Sequence, residues 1–250
     1  LSQCEKAGVK SCIIPYYYQY VPTKPYIDDL DGLSIIDTRR VPLENWLKAS
    51  AKRVFDILFA SVAIIITSPI MLFSVVMIKL TSPGPIIFHQ ERVGLNRQPF
   101  MMYKFRTMRT DTPKDVPTHL LTDPEQYITR VGKFLRKSSL DELPQIFHIF
   151  TGEMSIIGPR PALWNQFDLI EERDKYGAND IRPGLTGWAQ INGRDELPID
   201  VKARLDGEYI QKMNLFFDIK CIALTVSSVL KSDGVVEGGT GQLEKEKKDQ

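Results

Sequence analysis

Val54–Leu80, VFDILFASVAIIITSPIMLFSVVMIKL, is the stretch whose reading decides the fold. Its only strongly polar residue near the start is Asp56. As one straight helix these roughly 27 residues reach roughly 40 Å, more than a hydrocarbon core of about 30 Å. Length alone therefore permits a span. Two details favour a different path. Pro69 lacks a backbone N–H and bends a helix, and Ser68 is placed to bond a carbonyl that Pro69 frees. Cations flank both ends: Lys48, Lys52 and Arg53 before the run, Lys79, Arg92 and Arg97 after it. Positive charge favours the cytosolic side of a membrane. A hairpin-like helix, bent at Ser68-Pro69, dips in and returns to the same face with both basic ends satisfied. A spanning helix and a bent core helix are the alternatives.

A second stretch, Arg136–Gln145 (RKSSLDELPQ), carries the candidate chemistry. Pro144 does not sit deep in a helix, so a helix is predicted to begin near Ser139–Asp141. Ser139 and Glu142 fit a capping box, a purely structural use of both residues. The same geometry offers more. A helix start carries partial positive charge and free N–H groups that attract phosphate. Arg136 and Lys137 add full charges, and such surroundings keep Asp141 ionised, as a nucleophile requires. Adjacent residues on an α-helix point about 100° apart. Asp141 and Glu142 can then take different roles at one site, one attacking phosphorus and the other holding Mg²⁺ through oxygen.

Three further stretches hold ligand-binding candidates. In Gly158-Pro159-Arg160-Pro161 two prolines stiffen the chain around a planar guanidinium suited to bidentate phosphate contact, or the stretch is a turn with a surface arginine. In Tyr103–Met108, Lys104 and Arg106 share one side of an extended strand. In Arg182–Arg194, glycines permit tight turns, and Trp188, Gln190 and Asn192 are candidates to read a base or sugar. Arg130, Lys133, Arg136 and Lys137 give a predicted short helix, Tyr127–Arg136, one basic side for lipid headgroups or solvent. His89, His119 and His148 are isolated, and an isolated histidine is usually a satisfied core or surface residue.

Composition sets the outer limits. The 250 residues are 43% apolar and carry a formal net charge of only +1, which argues against broad binding of nucleic acid. Cys4, Cys12 and Cys221 are scattered, without metal-ligand spacing, and fit a reducing compartment. Strands are predicted at Val9–Pro15, Ile86–Gln90 and Phe100–Phe105. Helices are predicted at 144–150, 162–176, 197–212 and 216–230. Tyr16, Tyr17, Tyr18 and Tyr20 suit interfacial packing, the Pro22–Asp31 stretch reads as a linker, 110–124 as a loop, and 234–250 as a disordered tail. Leu1-Ser2-Gln3 reads as mid-protein, so the chain is expected to be part of something longer.

The apolar run with its Ser-Pro break, then YKFRTM, SLDELPQ, GPRPA and RPGLTGWAQINGR in this order, resembles the bacterial sugar transferases called monotopic phosphoglycosyl transferases. The resemblance covers about residues 48–231. It is closest to the long exopolysaccharide enzymes that carry four transmembrane helices and a Rossmann-like domain upstream. It implies an α+β, mainly helical monotopic membrane protein with a re-entrant Ser-Pro helix and interfacial amphipathic helices. Residues 1–45 would be the end of the upstream domain with a linker, 46–81 the re-entrant helix, 82–233 the catalytic domain and 234–250 the tail. The implied reaction moves a hexose-1-phosphate from a UDP-sugar to undecaprenyl phosphate and releases UMP. It begins exopolysaccharide, capsule or O-antigen synthesis at the cytosolic face of the inner membrane. Carried over, Asp141 is the nucleophile that forms a phosphosugar intermediate, and Glu142 binds Mg²⁺. Arg136 and Lys104 engage phosphates, Arg160 helps hold the nucleotide, and Ser68 and Pro69 shape the membrane helix; Arg106, beside Lys104 on its strand, is a further phosphate candidate. Nucleic acid is not an expected partner, and a homo-oligomer is left open.

Overall fold

The structure, a computed structural model, describes residues 26–30, 33–37, 43, 46–112, 124–193 and 197–231. The expected strand at Val9–Pro15, the tyrosine cluster, His119, most of the 110–124 loop and the tail lie outside these residues. The chain divides at Arg40–Val41 into two compact units. In the first, β1 (Tyr26–Leu30) pairs antiparallel with β2 (Leu33–Asp37), in register from Tyr26↔Asp37 to Leu30↔Leu33. The linker reading of Asp28 and Asp29 therefore gives way to a hairpin. The Asp31-Gly32 dipeptide between its strands is the sequence signal that favours one.

The second unit begins with α1, a single helix from Trp46 to Thr81 that contains Pro69. Pro69 cannot donate to the carbonyl of Ile65, and the Ser68 hydroxyl donates to that carbonyl instead, at 2.9 Å. The other hydroxyls along the helix behave alike: Ser61, Thr67, Ser74 and Thr81 each donate to the carbonyl four residues back. No hydroxyl among these five is left to seek a partner in an apolar medium. The helix is not a core helix. Leu58, Val62, Ile65, Ile66, Leu72, Phe73 and Leu80 are exposed, Ile65 at 73%. Burial is confined to a stripe through Asp56, Ala60, Ser74 and Ile78. Such a long unpartnered apolar surface marks membrane association.

Both halves of α1 pack on the same unit. Phe55, Ala60, Ala63 and Ile64 meet a core of Ile146, Ile149, Met154, Ile156 and Ile157. Met71, Val75 and Ile78 meet Phe105 and Leu135. Fully burying a large apolar side chain such as Ile78 contributes about 1.5–3 kcal/mol, and the half-buried ones contribute less. The contacting positions recur every three to four residues, the period of one helix face. Asp56 lies on that face, buried, and accepts from the Ile156 N–H at 3.3 Å. Two flanking cations are also used internally. Lys52 pairs with Asp218 at 2.7 Å. Arg53 donates to the Ile149 and Phe150 carbonyls at 2.6 and 2.8 Å. Their charge thus serves packing as well as any topological preference.

Beyond α1, β3 (Ile87–Val93) and β4 (Pro99–Phe105) form an antiparallel ribbon, close to the predicted bounds. The connection through Leu95–Arg97 is a tight turn with Asn96 and Arg97 at positive φ. Helix α2 (Arg130–Lys137) is capped by the Thr129 hydroxyl, which accepts from the Gly132 N–H. Gly132 is required there, because a Cβ would sit 2.0 Å from the Thr107 carbonyl. Arg130, Lys133 and Lys137 face solvent around an exposed Phe134. The 3₁₀ helix Leu140–Gln145 leads into α3 (Ile146–Thr151). Two three-residue strands, β5 (Ser155–Ile157) and β6 (Gly184–Thr186), pair in parallel. Helices α4 (Phe167–Asp174), α5 (Trp188–Ile191), α6 (Ile199–Lys212) and α7 (Leu215–Lys231) complete the unit. On α7, Phe216, Ile219, Leu224 and Val226 are exposed while Asp218 is buried.

Candidate active site

Asp141 and Glu142 sit in the first turn of the 3₁₀ helix that follows α2. The chain reaches them through Ser139, whose φ of 54° and ψ of 18° place it in the left-handed region. A non-glycine residue there costs of order 1 kcal/mol, held by its surroundings. The capping box does not form, since the Ser139 side chain makes no cap hydrogen bond. With three residues per turn, Asp141 and Glu142 diverge by about 120°, more than α-helical geometry gives.

That divergence sends Glu142 between two cations. Lys104 Nζ lies 2.8 Å from Glu142 Oε1. Arg160 Nη2 lies 2.7 Å from the same oxygen, and Arg160 Nη1 lies 3.4 Å from Oε2. Lys104 comes from β4, Arg160 from the Gly158–Pro161 loop and Glu142 from the 3₁₀ helix, so three separate elements converge. Burial alone would raise the Glu142 carboxyl, but Arg160 and then Lys104 override it and hold the group far below the usual carboxylate range. Asp141 is the opposite case. Burial and the neighbouring Glu142 charge push its carboxyl up to about 6, against the partial opposition of Lys104, Arg136 and Arg160. The surrounding cations favour the ionised Asp141 as expected, but burial and Glu142 outweigh them and raise its carboxyl. Two adjacent carboxyls are driven apart, one a permanent anion and one titrating near neutrality.

Arg136, on α2, acts on Asp141 through its charge and donates from Nε to Thr107 Oγ1 at 2.9 Å. Arg106 stands elsewhere. Strand β4 ends at Phe105, so the alternation that would align Arg106 with Lys104 stops one residue short. Arg106 is buried, and it donates to the carbonyls of Pro83 and Ser82 at 2.7 and 2.8 Å, fastening the turn after α1. Trp188 packs against Phe217, with ring centroids 5.1 Å apart, and the Asn192 amide donates to the Trp188 carbonyl. Both residues are engaged within the fold.

Two features escaped sequence reasoning. His148 is buried, as an isolated histidine commonly is, but it also ties the site together. Its Nε2 accepts from the Tyr103 N–H at 3.1 Å, and its Nδ1 donates to Glu153 at 2.6 Å. The neutral ring with the proton on Nδ1 is the form these partners select. This bond joins α3, which follows Glu142, to the residue before Lys104. The second feature is a buried Arg173–Asp206 pair behind Arg160, whose partners stand on different helices and leave no local sequence signal.

Among the described residues no three histidine, cysteine or acidic side chains gather as a metal cage. The donor set here, Glu142 with Asp141 beside it, suits an ion that takes most of its oxygens from substrate phosphates and water, which is how Mg²⁺ is usually held.

The second unit thus joins an exposed apolar helix to an adjacent acidic pair, one member of which is clamped between two cations. Residues 47–232 match the bacterial sugar transferase family, and the chain belongs to it. It is 40% identical over 184 residues to EpsL of Bacillus subtilis, an uncharacterized sugar transferase, covering 74% of this chain and 89% of that protein. It is 36% identical over 246 residues to the UDP-glucose:undecaprenyl-phosphate glucose-1-phosphate transferase of Escherichia coli, covering 90% of this chain and 52% of that protein. A UDP-N-acetylgalactosamine-undecaprenyl-phosphate N-acetylgalactosaminephosphotransferase of Aeromonas hydrophila is 39% identical over 198 residues, covering 77% of this chain and 46% of that protein. The chain thus spans about half the length of several of these relatives and most of EpsL.

Proposed function

We propose that this protein transfers a hexose-1-phosphate from a UDP-sugar to undecaprenyl phosphate, the first membrane step of an exopolysaccharide, capsule or O-antigen pathway. The observation that carries the reading is the split carboxyl pair: Glu142 fixed as an anion between Lys104 and Arg160, and Asp141 titrating near 6 beside it. A carboxylate of that pKa is ionised at neutral pH and basic enough to attack phosphorus. In the first step an Asp141 oxygen bonds to the phosphorus that bears the sugar. The bond from that phosphorus to the bridging oxygen breaks, and UMP leaves with the bridging oxygen. In the second step an oxygen of undecaprenyl phosphate attacks the same phosphorus, frees Asp141 and forms the lipid diphosphate sugar. Lys104, Arg136 and Arg160 stabilise the charge of the phosphates. Glu142 and the substrate phosphates would hold Mg²⁺, which supplies further charge neutralisation when bound.

The reading places α1 in the cytosolic leaflet of the inner membrane as a re-entrant helix. Its support is that both halves of α1 pack on one unit, a poor arrangement for a helix whose ends lie on opposite sides of a bilayer. Residues 1–45 are read as the end of an upstream domain. The test is incubation of the protein with a panel of UDP-sugars and Mg²⁺, with UMP measured and the enzyme examined by intact-protein mass spectrometry. UMP release with a phosphosugar adduct on Asp141 is expected. Turnover without any adduct at Asp141 sinks the covalent mechanism, and no UMP from any donor sinks the transferase.

A further inference from the structure

We propose that the buried Arg173–Asp206 pair is a positioning device that aims Arg160 into the site, an inference that rests on the transferase reading for what Arg160 binds. The loop that carries Arg160 is held by its carbonyls. That of Pro159 accepts from Gly184 N at 2.9 Å, and that of Ala162 accepts from Val93 N at 2.9 Å. Between them, the Pro161 carbonyl accepts from Arg92 Nη1 at 3.1 Å, and the Arg160 carbonyl accepts from Arg173 Nη1 at 2.8 Å. Four successive carbonyls are thus fixed, and proline rings limit the chain on either side of Arg160.

Arg173 is the most costly of these clamps. Its side chain is 5% exposed and that of Asp206 is 2% exposed. Arg173 Nε and Nη2 each lie 2.8 Å from Asp206 Oδ2. Burying two charges this deeply is often no more stabilising than an apolar pair of the same volume. The arrangement gains something an apolar pair lacks: a rigid guanidinium with Nη1 left over for one backbone oxygen. That oxygen belongs to the residue whose own guanidinium faces Glu142. Gly207, next to Asp206, lets α6 close on Tyr176, where a Cβ would lie 2.7 Å from its side chain. The chain of contact runs from α6 through α4 to Arg160 and ends at Glu142.

The test is a double-mutant cycle on the full chain in detergent, with inorganic pyrophosphate as the calorimetric probe. The variants are Arg173→Met with Asp206→Leu, which keeps the core filled, and separately Arg173→Lys, which keeps the charge but not the fork. Each is measured alone and with Arg160→Ala. In the Arg160 background each is expected to weaken pyrophosphate binding on the order of tenfold. In the Arg160→Ala background the further loss is expected to vanish, because the device has nothing left to aim. Equal losses in both backgrounds, or a wild-type protein that does not bind pyrophosphate, overturn the proposal. A Met/Leu protein that folds and binds as wild type also overturns it. UMP release is followed on the same proteins. Coupling without UMP from any donor defeats the transferase reading alone, and UMP with additive losses defeats the positioning role alone.

Discussion

Replacing Asp141 with asparagine is expected to abolish UMP release and, at the same time, to stabilise the protein. The native site holds the Asp141 carboxyl at about 6, against 3.8 for the free group. The sign follows from linkage. Between those two values the folded protein holds a proton that the unfolded chain has lost, so this group's contribution to stability falls as pH rises. Above pH 6 the cost is complete, at most about 3 kcal/mol from a shift of roughly two units. Asparagine carries no charge to bury, but its amide still loses some hydration, so a gain of about 1–3 kcal/mol is expected at pH 7.5. For a unit of this size that corresponds to roughly 3–10 °C in Tm. At pH 4.5 the gain is expected to shrink to about a third, because the native carboxyl is then mostly protonated. Thermal melts of both proteins in one detergent at the two pH values measure it. An asparagine variant less stable than the native protein at pH 7.5, or a gain that grows on acidification, would refute this account of the pair.

Three further outcomes are expected. The rate of UMP release should rise with pH to a plateau above about 6 and stand at about a tenth of that plateau at pH 5, as ionisation of Asp141 requires. A rate that is flat across that range places the critical titration elsewhere. Ser68→Ala should destabilise the protein by about 0.5–1.5 kcal/mol. In a Pro69→Ala background it should cost almost nothing, because residue 69 then donates to the Ile65 carbonyl itself, and chemical denaturation of the four proteins reads the coupling. His148→Ala should lower stability by about 2–4 kcal/mol through a cavity and an unpaired Tyr103 N–H. It should also raise KM for the donor by loosening Lys104, whereas His148→Asn, which keeps an acceptor, should recover part of both.

Much of the candidate site was legible because its residues sit in short stretches whose chemistry is local. Asp141 and Glu142 announce themselves as adjacent acids before a proline, and Arg160 as an arginine between prolines. The ribbon β3–β4 was legible from its β-forming residues and turn. What failed depended on where an element stops or on what it meets. Arg106 was expected beside Lys104 because alternation was carried one residue past the strand end. Ser139 was expected to cap a helix, but its left-handed backbone turns the chain before the helix starts. The parallel pairing of Ser155 with Gly184 and of Ile157 with Thr186 joins strands too short to show any period. Arg173 and Asp206 meet only because two helices pack, which no local pattern records.

The Arg53 contact has a practical consequence. Its guanidinium closes the carbonyl end of the helix that follows the acidic pair, and a charged cap there steadies the last turn. The long apolar helix is therefore a structural support of the candidate site. Trimming it away to obtain a water-soluble enzyme would strip that turn of its cap and uncover the core beneath. Preparations for kinetics or crystals will need to keep the helix and supply it with micelles or nanodiscs.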